Sequence, residues 1–342
     1  MSVGLLGAFG LVVSACGQSS VPAASVSSAG GTIVVGAPEC AHCLAMSLLG
    51  PKIGSYTVKF EPFGNLTDLT AGLASGAVQV GQIDYTGLVS FLSKGIPIVA
   101  ISGEVNGGSD FVLADNINLA PNDWAGFKSL VLADKASGHL LTIASQFGTV
   151  QDIELRLQLP KYGIDPNTDV NFVNVPYQGM AQALQSGSVQ AAIPVQPFAA
   201  AITNSGYAKH FAYPYNQAAG NLTNVVVVSP SFLKNHPQEV TQIAKGMNTL
   251  VEYLRTPKGK SAWAGAVEHY DNLGATTVNT ALAQLTPAIG MPFTQVQAIA
   301  ASMYAQHLIS TPLSTSFLKS HIDYTPLVQA TSQSATSLGA PA

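Results

Sequence analysis

Charged side chains are scarce in this sequence. Asp, Glu, Lys and Arg make up 9% of its 342 residues, whereas soluble domains usually carry about 25%. The net charge is -4, and the 14 lysines and arginines form no basic run. Binding to nucleic acid requires a basic face that displaces counterions from phosphate groups. We therefore expect no nucleic-acid partner.

The usual catalytic motifs are also missing. The sequence contains no G-x-S-x-G, H-E-x-x-H, P-loop or G-x-G-x-x-G stretch, and none of its seven histidines has another histidine four residues away. These motifs place nucleophiles, zinc ligands or phosphate-binding backbone at fixed positions. We therefore expect neither an enzyme nor a cofactor or resident metal.

Apolar residues, by contrast, are abundant, at 47% of the chain. A chain of this length and hydrophobicity can bury the cores of two domains. Beyond the N-terminus, no uninterrupted apolar stretch approaches the roughly 18 residues that a membrane-spanning helix needs. The body of the chain is therefore predicted to contain no such helix.

The N-terminus has the pattern of a targeting segment. A short apolar run over residues 4–13 ends in Val13, Ser14, Ala15 and Cys16, which resembles the lipobox of bacterial lipoproteins, although no Lys or Arg precedes the run. We expect residues 1–15 to be a signal peptide and Cys16 to carry a lipid anchor. Residues 16–31 are then the lipidated cysteine and a flexible, Ser/Ala/Gly-rich tether.

Two further cysteines, Cys40 and Cys43, form a C-x-x-C pair. In an exported protein an even pair is first interpreted as a disulfide. With His42 and Met46 close by, the same residues also suit a soft metal ion such as Cu(I). A redox-active dithiol is the third interpretation.

Strand-like and helix-like segments alternate after the tether. Leu66, Leu69 and Leu73 lie on one face of a predicted helix, and the region from Pro237 onward is mostly helical in pattern. Alternating strands and helices indicate parallel βαβ units and an α/β fold. The predicted strands are residues 32–37, 56–60, 78–83, 96–101, 111–114, 129–133, 170–175 and 189–195.

One helix–turn–strand pattern occurs twice. Residues 73–79 read LASGAVQ and residues 184–190 read LQSGSVQ. In both, glycine stands where a helix ends, and a strand follows at once. The repeat predicts two similarly built lobes.

These turns, together with GIPIVAISG at 95–103, WAGFKSLVL at 124–132 and SPSFLKNHPQE at 229–239, resemble the type II periplasmic binding proteins for nitrate, sulfonates, taurine and thiamine pyrimidine precursors. The likeness covers residues 32–270. It implies a two-lobed α/β fold, each lobe a mostly parallel sheet flanked by helices, with a helical C-terminal region. Lobe 1 would comprise residues 32–118 and 218–342, and lobe 2 residues 119–217.

The resemblance also implies a function and partners. Such proteins act as monomers that capture a small solute between the lobes and deliver it to an ABC permease in the membrane. Closure would use hinges near residues 116–122 and 213–221. Localisation would be outside the cell membrane or in the periplasm, held by the lipid on Cys16.

Loops at the carboxyl ends of the strands are the expected solute-binding segments, because α/β sheets bind ligands there. Asp84 would accept hydrogen bonds from the solute, or instead cap the helix that follows it. Ser137 and Gly138 would open a helix whose free N–H groups attract an anionic group. The full candidate set is Glu39, Asp84, Tyr85, Thr86, Glu104, Ser137, Gly138, His139, Tyr177, Gln178 and Gln196.

The solute itself is weakly specified. The only arginines, Arg156 and Arg255, lie in predicted helices away from these loops, so a bidentate clamp for a strong anion is not expected. The acidic and tyrosine side chains favour a neutral or amine-bearing solute over a strong anion. Two alternatives remain: a metal-trafficking or redox lipoprotein using Cys40, His42 and Cys43, and an enzyme similar to pyrimidine-precursor synthases.

Overall fold

The computed structural model describes residues 31–38, 40–64, 66–271 and 273–342. The predicted signal peptide, Cys16 and Glu39 lie outside the described residues. The strands are β1 (Thr32–Pro38), β2 (Lys52–Ile53), β3 (Tyr56–Phe63), β4 (Val80–Asp84), β5 (Val99–Gly103), β6 (Val105–Gly107), β7 (Phe111–Ala114), β8 (Leu141–Ser145), β9 (Val170–Asn174), β10 (Ala191–Ala192), β11 (Ala208–Ala212), β12 (Asn224–Val228) and β13 (Leu285–Pro287).

Helices connect most of these strands. The α-helices are α1 (Leu66–Ser75), α2 (Tyr85–Ser93), α3 (Trp124–Ala136), α4 (Val150–Gln158), α5 (Tyr177–Gln185), α6 (Phe198–Ser205), α7 (Pro230–Asn235), α8 (Pro237–Leu254), α9 (Pro257–Asp271), α10 (Ala275–Leu282), α11 (Phe293–Ala305), α12 (Thr315–Lys319) and α13 (Thr325–Thr331). Short 3-10 helices cover Cys43–Leu48 and Leu159–Tyr162. The predicted helical C-terminal region is present from α8 onward.

The strands form two larger sheets, each the centre of one lobe. The strand order is β2-β3-β1-β4-β12-β5 in lobe 1 and β11-β7-β10-β8-β9 in lobe 2. In each lobe three strands run parallel, β3-β1-β4 and β9-β8-β10, and an antiparallel strand pairs with the last of them. The predicted α/β fold is confirmed. Each sheet is mixed, because two parallel strand pairings in each lobe are combined with antiparallel pairings of the remaining strands.

The repeated turns occupy matching places in the two lobes. Gln79 Oε1 accepts a hydrogen bond from the backbone N–H of Val34 in β1, and Gln190 Oε1 accepts one from Thr142 in β8. Both amide nitrogens donate to the carbonyl of the preceding turn glycine. Each glutamine thus ties its turn to the neighbouring parallel strand.

Strand β12, which lies between β4 and β5 in lobe 1, is buried on both faces. Val225 and Val227 face an apolar layer that includes helices α2 and α11, whereas Val226 and Val228 face a second layer with α8 and α9. A strand covered on both sides needs apolar side chains at every position rather than at alternate ones. The continuous valine run meets that requirement.

One predicted strand is wrong. Residues 129–133 belong to helix α3, which begins after the capping residue Asp123 and ends at Ala136, with Ser137 as its C-terminal cap. Trp124, Phe127 and Val131 are its buried residues, and they recur with helical spacing. The strand prediction rested on the short apolar run SLVLA, which contains only one of these three residues. Sequence periodicity cannot distinguish strand from helix over so few residues.

The chain crosses between the lobes at two adjacent segments, residues 108–110 and 213–223. Thr223 Oγ1 bonds with both backbone groups of Gly107, and the Tyr215 hydroxyl does the same with Ser109. The second crossing overlaps residues 213–221, and the hinge role of that segment stays a prediction. The first lies before β7, not near residues 116–122, because the apolar run of β7 pairs within lobe 2; the proposed boundary at 118 moves accordingly.

None of the described helices is both long and apolar enough to span a bilayer.

Candidate functional site

A cavity of about 310 Å³ lies between the lobes, at the carboxyl ends of their strands. Lobe 1 contributes Pro38, Cys40, His42, Cys43, Leu66, Asp84 and, from the start of β12, Asn224 with its neighbour Thr223. Lobe 2 contributes Gln146, Thr149, Val150, Gln151, Tyr177, Gln178, Val195 and Phe198. The cavity therefore occupies the edge of the sheets where ligands of α/β folds bind.

Corresponding elements of the two lobes face each other across this cavity. Leu66 begins α1 and Tyr177 begins α5, each after the outer parallel strand of its lobe. Asp84 precedes α2 at the end of β4, and Phe198 begins α6 after β10. Strands β4 and β10 are the parallel strands that pair with β12 and β7. The internal repeat seen in the turns thus also organises the cavity walls.

Asp84 is both a helix cap and a cavity residue. Its Oδ1 accepts a hydrogen bond from the Gly87 N–H (2.7 Å) and its Oδ2 accepts one from the Thr86 hydroxyl (3.0 Å). Burial raises the pKa of the Asp84 carboxyl above its usual value, while these two hydrogen bonds act in the opposite direction. Asp84 therefore caps α2 and lines the cavity at the same time.

Tyr177 forms the opposite wall. Its hydroxyl donates to Gln151 Oε1 at 2.6 Å, its backbone N–H donates to Gln146 Oε1, and its ring stacks on Phe198 with centroids 5.8 Å apart. Burial raises the pKa of the phenol, so the ring stays neutral. The arrangement fixes a flat aromatic surface facing the cavity.

The segment after β1 places Cys40, His42 and Cys43 at the cavity. Cys40 and Cys43 are joined in a disulfide, with Cα atoms 5.0 Å apart. His42 is buried, and burial lowers the pKa of its imidazole to about 4, so the ring is neutral at physiological pH. Asn224 Nδ2 lies 3.9 Å from Cys43 Sγ.

Several predicted site residues lie behind the cavity wall instead of lining it. Tyr85 is fully buried in the lobe 1 core, because it is the first residue of α2 and its side chain is directed inward. Thr86 bonds to Asp84. Glu104 is buried, with a pKa raised well above its usual value by burial, and Gln196 is buried and accepts from the Ala200 N–H.

Ser137, Gly138 and His139 are placed wrongly by the sequence. They do not open a helix; Ser137 is the C-terminal cap of α3, and all three residues are exposed at the start of β8. The error follows from interpreting α3 as a strand. A strand ending at residue 133 makes residues 137–139 the start of a following helix, whereas they stand at the C-terminal end of helix α3. No anion-binding helix N-terminus exists there.

Other cavity residues were missed by the sequence interpretation. Gln146, Thr149 and Gln151 follow β8, a strand in the place where the sequence predicted a helix opening at Ser137. Asn224 pairs with Asp84 across β12 and β4, although the two are far apart in sequence. Only the strand pairing reveals such a neighbour.

The described lining of the cavity is more apolar than polar, and it carries little formal charge. Among the described residues that line it there are one carboxyl, Asp84, and one imidazole, His42, and there is no lysine or arginine. The N-termini of α4, α5 and α6 also reach it, and helix N-termini carry a partial positive charge. The site can therefore offer an acceptor at Asp84 and partial positive charge on the lobe 2 side.

Comparisons with known proteins agree with this architecture. The sequence profile of the NMT1-like family matches residues 50–268, more than half of the chain. The taurine-binding periplasmic protein of Escherichia coli (strain K12) is 25% identical over 208 residues, which span 60% of this chain and 60% of that relative.

Solved structures share the fold at lower identity. The periplasmic nitrate-binding protein NrtA from Synechocystis PCC 6803 has a TM-score of 0.71 at 12% identity, covering 90% of each chain. The alkanesulfonate-binding protein SsuA from Xanthomonas axonopodis pv. citri, bound to MOPS, has a TM-score of 0.64 at 17% identity, covering 86% of this chain and 98% of that one.

Proposed function

This chain belongs to the NMT1-like family, and from that premise we propose that it is an exported solute-binding protein of an ABC-type importer. One observation carries the proposal. Asp84 of lobe 1 and Tyr177 of lobe 2 line the same cavity, at the strand ends where such folds bind ligands. A solute in this cavity contacts both lobes at once. Such contacts are sufficient for binding, and they require no catalytic group.

Solute capture is expected to work by closure of the lobes. A ligand that touches both lobes only in the closed form shifts the equilibrium toward that form. The two adjacent crossings, residues 108–110 and 213–223, are the segments through which the backbone connects the lobes. They are the hinges in this proposal, and the closed form is the one that a membrane permease would recognise.

The chemistry of the cavity favours a small solute with both an ammonium and an oxyanion group. Asp84 provides a carboxylate for the ammonium, and the N-termini of α4 and α5 provide partial positive charge for the oxyanion. Taurine, the ligand named for the curated relative, combines these two groups. We therefore propose taurine or a similar aminosulfonate as the solute.

Isothermal titration calorimetry can test this with a matched pair of compounds. Taurine and ethanesulfonate differ only in the ammonium group. We expect one taurine to bind per chain, at least about tenfold more tightly than ethanesulfonate, because hydrogen bonds to charged groups contribute about 1.5–3 kcal/mol. Nitrate and a pyrimidine should bind more weakly than taurine. Failure of every sulfonate to bind would refute the aminosulfonate assignment.

Lipid anchoring is a separate proposal that rests on the stretch ending in Cys16. Changing Cys16→Ser should move the protein from the membrane fraction to the soluble fraction of its host. The serine has no thiol to carry the lipid, and two acyl chains on that lipid are what would hold the protein on the membrane. Immunoblots of the two fractions provide the measurement. Cys40→Ser is the matched control and should remain with the membrane; membrane retention of the Cys16→Ser protein would contradict the anchor.

A further inference from the structure

The Cys40, His42 and Cys43 side chains form a cluster that solute binding does not explain. The two sulfur atoms and one ring nitrogen of His42 lie within 4.8 Å of one another, and all three residues line the cavity. Two sulfurs and one imidazole are the donor set that soft metal ions select. A structural disulfide alone would not need the histidine between them.

Two buried polar atoms beside this cluster lack partners. His42 Nδ1 and Asn224 Oδ1 have no hydrogen bond among the described residues, and both side chains are at least nine-tenths buried. A buried polar atom without a partner carries a free-energy cost. Coordination through His42 would remove part of that cost, and the Asn224 amide already lies beside Cys43 Sγ, where it can donate to a thiolate in the outer shell.

We propose that reduction of the Cys40–Cys43 disulfide converts this cluster into a binding site for one soft d¹⁰ metal ion, Zn²⁺ or Cu⁺, held by Cys40, His42 and Cys43. The reductant is a dithiol, such as that of a thiol–disulfide oxidoreductase. It gives two electrons and two protons to the disulfide and becomes a disulfide itself. The ion then displaces one proton from each thiol and binds both thiolates and the imidazole.

The three ligands leave one side of the ion open. In metal sites with three protein ligands the fourth position is free for water or another small molecule. Because all three ligands line the cavity, that position faces the space proposed for the solute. The site goes beyond solute binding and does not depend on which solute the cavity takes.

Metal titration of the full chain with Cys16→Ser and no histidine tag tests the proposal. Half of the sample is reduced with a phosphine and desalted without oxygen; alkylation followed by mass spectrometry then verifies the free thiols. Zn²⁺ is titrated against a chromophoric chelator and Cu⁺ against bicinchoninate. We expect the reduced chain to bind one ion of at least one of these metals and the oxidised chain to bind none.

Variants identify the ligands. Cys40→Ser or Cys43→Ser should abolish the stoichiometric site. His42→Gln should weaken it by at least about tenfold, since even an outer-shell partner contributes that much to metal affinity. His139→Gln is the matched control, because His139 is exposed and is not among the residues that line the cavity; the metal affinity of this variant should equal that of the parent chain.

Two results would overturn the proposal. One is reduced protein, folded by circular dichroism, that binds neither ion more tightly than the oxidised protein. The other is a His42→Gln chain with unchanged affinity, which would reduce the cluster to a pair of thiols. Either result leaves the taurine measurement untouched, so the two proposals fail separately.

Discussion

Replacing Asp84→Asn should weaken taurine binding by about 1.5–3 kcal/mol, roughly ten- to hundredfold in Kd. Asparagine is as good a helix cap as aspartate, so α2 keeps its first turn and the hydrogen bond from the Gly87 N–H. What is lost is the negative charge that faces the ammonium group. Binding of ethanesulfonate, which has no ammonium, should be unchanged or slightly stronger.

The pH dependence of this binding has a defined sign. Burial raises the pKa of Asp84, and only the ionised carboxylate pairs with an ammonium. Affinity for taurine should therefore rise as the pH increases through that raised pKa and level off above it. In the Asp84→Asn protein the same curve should be flat, which calorimetry at several pH values can determine.

Asp123→Asn provides the matched control. Asp123 caps α3 as Asp84 caps α2, with a carboxylate oxygen that accepts from the N–H three residues later, but it does not line the cavity. Its replacement should leave the affinity for taurine unchanged. Equal losses in the two variants would show that the effect arises from capping and would contradict a role for Asp84 in binding.

The largest expected effect on stability is at Trp263. This residue of α9 is 1% exposed and packs in the lobe 1 core with the segment after β1. Its Nε1–H donates to the carbonyl of Ala41 at 2.8 Å. Trp263→Ala should lower the free energy of unfolding by about 3–5 kcal/mol, because it leaves a large cavity and removes this hydrogen bond.

Urea denaturation followed by circular dichroism measures this change, and two variants help to interpret it. Trp263→Phe fills most of the space but leaves the buried Ala41 carbonyl unpaired, which should cost about 1–3 kcal/mol. Tyr304→Ala, at a side chain that is 43% exposed, should change stability by less than about 0.5 kcal/mol. A Trp263→Ala effect no larger than that of Tyr304→Ala would contradict the packing described here.

The local features that the sequence predicted best are those determined by short-range chemistry. The Ser-Gly turns with Gln79 and Gln190 combine a positive-φ glycine with a side chain that bonds to the neighbouring parallel strand, so a seven-residue pattern is enough to predict them. Asp84 was identified because a polar residue ends an apolar strand. In each case a few neighbouring residues are sufficient to predict the local structure.

The failures have a different physical origin. The strand interpretation of α3 rests on the consecutive apolar residues Leu130, Val131 and Leu132. Only Val131 is fully buried, whereas Leu130 packs partly against the lobe 2 core and Leu132 is exposed. Asn224 reaches the cavity only through antiparallel pairing of β12 with β4. Pairing between distant segments is decided by burial of whole sheet faces, which no local pattern encodes.

The position of β12 also has a consequence for the order of folding. All strands of the lobe 2 sheet come from one continuous stretch, from β7 to β11, whereas β12 lies between β4 and β5 and follows lobe 2 in the chain. A chain that emerges from its N-terminus can therefore complete the lobe 2 sheet first. Until β12 arrives, β4 and β5 each have an unpaired edge, and unpaired strand edges are where folding intermediates aggregate.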